Sequence, residues 1–126
     1  MNRTILSINT NRSISFLLHT VLADRYELIT VSDAYSAMMQ IKSNESISLI
    51  IADIDNGGND IWDFIEHIGT SYLYNRPVML LSSNRTKEIE TKAMRSGVVE
   101  TFWKPFSPPD MVRKVDSIMT SDVINN

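Results

Sequence analysis

Residues 48–53 read Ser-Leu-Ile-Ile-Ala-Asp, an apolar run that ends on a carboxylate and is followed at once by Ile54-Asp55-Asn56-Gly57-Gly58. A solvated strand would alternate polar with apolar residues and a buried helix would be longer, so this run predicts a strand covered on both faces. Such strands occupy the middle of parallel sheets. Ligands of open parallel sheets gather outside the carboxyl ends of the strands, which puts Asp53 on the edge where a functional group is useful.

The rest of the chain alternates extended and helical patterns around this strand. Residues 4–8 predict a first strand, closed by the polar Asn9-Thr10-Asn11. Ile14, Leu17, Leu18, Val21 and Leu22 then recur at helical spacing, with Phe16 outside that stripe and expected to be partly buried at the helix margin. Residues 26–31 form a β-branched and aromatic second strand, and Ser32-Asp33 caps a helix carrying Ala34, Ala37, Met38 and Ile41 that ends near Ser43-Asn44. After the central strand, Ile61, Phe64, Ile65 and Ile68 mark a third helix, and Arg76-Pro77 leads into an apolar strand over residues 78–83. A fourth helix carries Ile89, Ala93 and Met94, with Gly97 placed for a left-handed cap. A fifth strand over residues 100–103 runs into Lys104-Pro105-Phe106, and Pro108-Pro109 opens a last helix with Met111, Val112, Val115, Ile118 and Met119 inward. One domain over residues 1–120 follows, with residues 121–126 as a polar tail expected to fray. Strands and helices in strict alternation specify a parallel sheet with helices on both faces.

Composition narrows the function. The chain has no cysteine, which excludes disulfides, thiolate zinc sites and thiol nucleophiles. Its net charge of −3 is scattered over both signs, so no basic patch supports direct contact with nucleic acid, and any such contact runs through a partner. The apolar stretch at the N-terminus is too short for a secretory signal and no run spans a bilayer, so a cytoplasmic protein without membrane contact is expected. His19 and His67 lack a second ligand at metal spacing, and Asp63 and Glu66 sit among the polar residues of the third helix; all four are expected to be solvated.

The predicted strand ends present Asn9-Thr10, Asp53, Ser82-Ser83 and Lys104 along one edge. An ionised aspartate can attack phosphorus without a separate base and form an acyl phosphate. The phosphoryl oxygens then need a cation and hydrogen-bond donors, for which Lys104 and Ser82 are suited, and a divalent metal normally shares that charge.

In this order and spacing, Leu49-Ile50-Ile51-Ala52-Asp53, Pro77-Val78-Met79-Leu80-Leu81-Ser82-Ser83, Gly97 and Lys104-Pro105-Phe106 resemble the response-regulator receiver domains of two-component signalling, over nearly the whole chain. The resemblance implies a flavodoxin-like three-layer sandwich, with a five-stranded parallel sheet of order 2-1-3-4-5 and five helices. It implies Asp53 as phospho-acceptor, Ser82 as the switch hydroxyl, and Lys104 with Ser83 as phosphate contacts. It also implies Mg2+ held through Asp53 and the backbone carbonyl of Asp55, with Asn9 standing where a further ligand belongs. The expected partners are a histidine kinase or phosphotransfer protein and a downstream effector, bound at the face of helix 4, strand 5 and helix 5. The domain is then a signalling module and not an enzyme.

Several residues depart from the family pattern. Asn9 and Thr10 stand where receivers carry an acidic pair, which predicts weak magnesium binding, although Asn9 offers a carbonyl oxygen and Asp55 a second carboxylate. Asn56, Gly57 and Ile61 replace the usual Met-Pro and following Gly, and Gly57-Gly58 makes this loop flexible. Thr101 replaces an aromatic that commonly reports the switch.

Plainer readings stand beside these. Asp53 is also consistent with a remnant acid in a pseudo-receiver, a protein-interaction module that works without phosphorylation. Lys104 would then be its counter-ion at a wet edge, and Ser82 a strand cap. Phe102 is expected inside and Trp103 nearer the surface, where it is a candidate for partner contact. The mixed-charge Lys87, Glu88, Glu90, Lys92 and Arg95 make the fourth helix a candidate homodimer surface or simply a soluble one. An aspartate-nucleophile phosphatase of the haloacid dehalogenase type is a remote alternative, since Asp53-Ile54-Asp55 supplies its first motif and nothing supplies its later acids. A flavodoxin would want a phosphate loop after the first strand, and none is present.

Overall fold

Five strands, β1 (Thr4–Ile8), β2 (Glu27–Val31), β3 (Ile47–Asp53), β4 (Val78–Ser82) and β5 (Glu100–Trp103), pair in parallel in the order β2-β1-β3-β4-β5. The computed structural model describes residues 3–124, with side chains through residue 120. Between the strands run α1 (Arg12–Leu22), α2 (Ala34–Ser43), α3 (Gly58–Thr70), α4 (Lys87–Arg95) and α5 (Pro108–Ile124). This is the flavodoxin-like receiver architecture expected from the sequence. The polar tail expected beyond residue 120 has its last two residues outside the described ones, while the backbone of α5 runs on through Ile124.

The apolar run that predicted a buried strand is central, with β1 on one side and β4 on the other. Because side chains alternate along a strand, β3 feeds two separate cores. Ile50 and Ala52 pack with Leu6, Ile8 and Leu80 under α2 and α3, whereas Leu49 and Ile51 pack with Ile5, Met79 and Leu81 under α1 and α5. Truncating any of the buried Leu or Ile side chains among these to alanine removes about 2–5 kcal/mol.

Helix starts follow side-chain capping, in which an oxygen accepts from an orphan backbone N–H. Asn11 accepts from the amide of Ile14, Asp33 from that of Ser36, and Thr86 from that of Ile89. At the end of α4, Gly97 takes φ 79°, a left-handed position that an L side chain would strain. Tyr26 falls just before β2 instead of within it. Its hydroxyl donates to Asp116 on α5, and burial together with that bond pushes its pKa up to about 12.

Two apolar residues are more exposed than the sequence reading expects. Phe16 is 74% exposed, not partly buried, because two residues along a helix turn it about 200° away from the buried Leu18. Met94 is 80% exposed although it follows the buried Ala93, since each helical step of about 100° carries it off the inner face of the nine-residue α4. No helix of the described residues is long and apolar enough to cross a membrane.

The backbones of α3 and α4 meet at Gly69. A Cβ built there would lie 2.4 Å from the carbonyl oxygen of Ser96, the C-cap of α4, so backbone rather than a flexible side chain blocks it. Gly69→Ala is therefore expected to lower stability by about 1–3 kcal/mol, as overpacking does. Urea denaturation of the variant checks this, with the neighbouring exposed Thr70→Ala as the reference that stays close to wild type.

Candidate functional site

The strand ends set the positions of the polar groups. Asp53 closes β3 opposite Leu81, and the amide of Ile54 continues the ladder by donating to the Leu81 carbonyl at 3.0 Å. On the far side of β4, Ser82 pairs in register with Trp103, and the Lys104 amide donates to the Ser82 carbonyl at 2.8 Å. The sheet thus delivers Lys104 across β4 to Asp53. Its Nζ lies 2.6 Å from Asp53 Oδ2 and 2.9 Å from Asp55 Oδ2.

This is not the wet edge expected for a weak counter-ion. The Asp53 side chain is 3% exposed and that of Lys104 14%, so the pair is screened little and its loss would leave a buried charge. Burial alone would push the Lys104 ammonium down. Its hydrogen bonds to Asp53 and Asp55 outweigh that effect and hold its pKa above the ordinary 10.5.

The loop after β3 turns Asp55 toward β4. The Asp55 amide donates to Asp53 Oδ1 at 2.9 Å, and Asn56 takes a left-handed φ of 65° that carries the chain away into α3. Asp55 Oδ1 then accepts from the Ser83 amide at 3.1 Å, with its Oδ2 at 3.2 Å from the same nitrogen. The Ser82 hydroxyl lies 3.4 Å from Asp55 Oδ1 and itself accepts from the Asn84 amide at 3.1 Å. Burial pushes the Asp55 carboxyl up, but the Lys104 and Ser83 hydrogen bonds prevail and hold it below the ordinary 3.8.

Asn9 is buried at the end of β1, and both ends of its carboxamide are engaged. Its Nδ2 donates to the Ser7 hydroxyl at 2.9 Å, and its Oδ1 accepts from the Ser15 hydroxyl at 2.7 Å. Thr10 is exposed. Both residues line a cleft of about 620 Å³ between α2 and α3 that reaches Asp53 and Gly57 and carries Asp60, Asp63 and His67. Asp63, Glu66, His19 and His67 are all exposed.

Thr101 is half-buried on β5 opposite Leu80. Phe102 packs into the inner cluster, edge-on to Phe106 at 5.8 Å. The Trp103 ring instead carries the Arg85 guanidinium 5.4 Å from its centroid, and Arg85 also pairs with Glu90 of α4 at 3.1 Å.

Magnesium prefers several hard oxygen ligands in a fixed octahedron. Here Asp53 and Asp55 both hold Lys104, and the one oxygen Asn9 could lend is taken by Ser15. Among the described residues no group of three or more His, Asp or Glu is placed to hold a metal. This donor set does not fit a firmly held Mg2+.

Sequence reasoning placed Asp53, Ser82, Ser83 and Lys104 along one edge, and the structure brings them together. It treated Asp55 chiefly as a carbonyl or a spare carboxylate for metal, and missed that its side chain engages Lys104, Ser82 and Ser83. The signal available was the Asp-x-Asp spacing, which puts both side chains on one side of an extended segment.

The response regulator receiver domain model matches residues 5–116. The response regulator protein FleR of Pseudomonas aeruginosa is 28% identical over 107 residues, covering 84% of this chain. The chain spans only 22% of the length of that relative. The signal receiver domain of an HD domain-containing protein from Pseudomonas fluorescens Pf-5 superposes with a TM-score of 0.85 at 20% identity, over 96% of this chain and 97% of its own. A response regulator from Thermotoga maritima gives 0.82 at 20% identity, over 95% and 99%. With four-fifths and more of its length inside the family pattern, the chain belongs to the response-regulator receiver domains of two-component signalling. Members of this family are typically non-enzymatic, generally bind Mg2+ at an acidic pocket, receive their signals from histidine kinases and act on effectors.

The Lys104 ammonium makes stability pH-dependent at both ends. The depressed Asp55 value contributes stability that is present above pH 3.8 and lost as pH falls through the folded value, and the raised Lys104 value contributes below pH 10.5 and is lost as pH rises through its own. Lys104→Met is expected to cost on the order of 3 kcal/mol at pH 7, because two carboxylates lose their shared cation. The deficit should shrink in acid as Asp55 protonates, and the Asp55 carboxyl should titrate higher than in wild type. Denaturation across pH and carboxyl 13C NMR measure the two effects.

Proposed function

We propose that this receiver accepts a phosphoryl group on Asp53 from the phosphohistidine of a histidine kinase or phosphotransfer protein, and passes the change to a downstream effector. The observation that carries the reading is the convergence of a buried carboxylate, an ammonium at 2.6 Å and a buried strand-end hydroxyl on the adjoining strand. An Asp53 carboxylate oxygen attacks phosphorus as the bond to the donor imidazole nitrogen breaks, and the electron pair leaves with the imidazole. Lys104, the Ser82 hydroxyl and the Ser83 amide take the phosphoryl oxygens. The chain is the acceptor in this step rather than a catalyst of turnover, and it works in the cytoplasm beside its donor.

Magnesium support is weak in this reading. Asp53 and the Asp55 carbonyl are the ligands left, with Asn9 available only if Ser15 releases it. Replacing the Asp53 carboxylate with a bulkier, more negative acyl phosphate and drawing Ser82 toward the phosphoryl group alters the end of β4, and the effector binds the face built from α4, β5 and α5. Thr101 leaves that route without its usual mobile aromatic, so the Arg85–Trp103 stack carries the contact between the β4–α4 loop and β5. Homodimerisation through the mixed charges of α4 is part of the same proposal, and direct nucleic acid contact is not.

A second reading, a module that binds its partner without phosphorylation, is favoured by the engaged Asn9 carboxamide and the missing acidic pair. Acetyl phosphate at high magnesium separates the two. The phospho-acceptor reading expects a mass gain of one phosphoryl group that Asp53→Asn abolishes, or a beryllofluoride-dependent spectral change with the same dependence. Silence in both assays leaves the phosphorylation-independent module.

A further inference from the structure

We propose that Asp55 is an intramolecular competitor for the phosphoryl cradle: its carboxylate sits on Lys104, the Ser83 amide and the Ser82 hydroxyl, and must leave before an anion can take them. This rests on the reading above only in taking those three donors as the anion-binding set. Each donor is engaged by Asp55. Lys104 Nζ is 2.9 Å from Oδ2, the Ser83 nitrogen 3.1 Å from Oδ1, and the Ser82 hydroxyl 3.4 Å from Oδ1.

The chain holds Asp55 there by means that owe nothing to a ligand. Its amide is tied to Asp53 Oδ1, Ile54 is still in the ladder with β4, and the left-handed turn at Asn56 follows immediately. The carboxylate therefore faces β4 at a distance fixed by the sheet. A tethered acceptor of this kind acts at a high effective concentration and is always present, whereas a free anion must reach the same donors from solution. Both are oxygen anions with the same demand for an ammonium and two further donors, so they exclude one another. Each charge-assisted hydrogen bond is worth a factor of about ten or more in affinity, which sets the size of the handicap.

A purely structural Asp55 would tether the β3–α3 loop to β4 and keep the donors in place. Removing it would then loosen the cradle and weaken anion binding. The competitor predicts the opposite sign.

The test titrates inorganic phosphate into the full chain without metal, following the Ser83 amide resonance. Wild type is compared with Asp55→Ala, Asp55→Asn and Asp60→Asn, the last removing an exposed charge on the cleft rim that touches none of the three donors. Asp55→Ala is expected to bind phosphate about tenfold tighter than wild type or better. Asp55→Asn, which can keep the loop tether, should also gain, while Asp60→Asn should stay near wild type. The Asn variant keeps the test decisive if the Ala variant fails to fold. Affinity unchanged or weakened in the folded Asp55 variants overturns the proposal, as does an equal gain in Asp60→Asn, which would reduce the effect to net charge. A parallel acetyl phosphate incubation separates this from the acceptor reading. Tighter phosphate binding with no mass gain in any variant upholds the competitor and sinks Asp53 as acceptor. Equal mass gain in wild type and Asp55→Ala, with equal phosphate affinity, does the reverse.

Discussion

A single ammonium held between two carboxylates fixes the functional end of this domain. Lys104 and Asp53 are 51 residues apart in sequence, and they meet only because β4 lies between their strands and both ladders run to their last residue. One buried and one half-buried acid with one base leave an excess negative charge, which low dielectric makes costly unless backbone donors share it. The amides of Asp55 and Ser83 do so. The conformation of the β3–α3 loop is thereby coupled to the end of β4 through the same few atoms that an incoming anion would need.

The fold was legible because its determinants are local and repeated. Strand runs, capping residues and the glycine after α4 each act within a few residues, and β1 and β5 fall where the sequence places them. Phe16 and Met94 were not legible, because a helical stripe seen in sequence shows which residues are apolar but not how wide a face the neighbouring elements cover. Asp53, Ser82 and Lys104 could be found because topology alone brings strand ends together. The side-chain partners of Asp55 and Asn9 depend on two loop conformations, one turned by a left-handed Asn56 and one closed by Ser15 from the first turn of α1. The Asp53-Ile54-Asp55 spacing hints at the first, and nothing in the sequence marks the second.

The departures from the family pattern form a consistent set. Where an acidic pair would add charge to the pocket, Asn9 is neutral and spends its hydrogen bonds on its own loop. Where an aromatic would rotate, Thr101 is small, and aromatic mass appears two residues on, at Trp103, under the Arg85 guanidinium. A cation over an indole face at a partly exposed site contributes about 0.5–1 kcal/mol, enough to favour one arrangement of the β4–α4 loop without locking it.

The close approach of Gly69 to Ser96 has a mechanical consequence for α4. Its carboxyl end rests against the α3 backbone, with no intervening side chain to yield, whereas its amino end is held by the Thr86 cap and by long, exposed side chains such as Arg85. The helix has a stiff end and a compliant one. A displacement imposed at the end of β4 enters α4 on the compliant side and swings it about a pivot at Ser96, so the largest excursion on the outer surface falls near Lys87 and Glu88 and the smallest near Arg95.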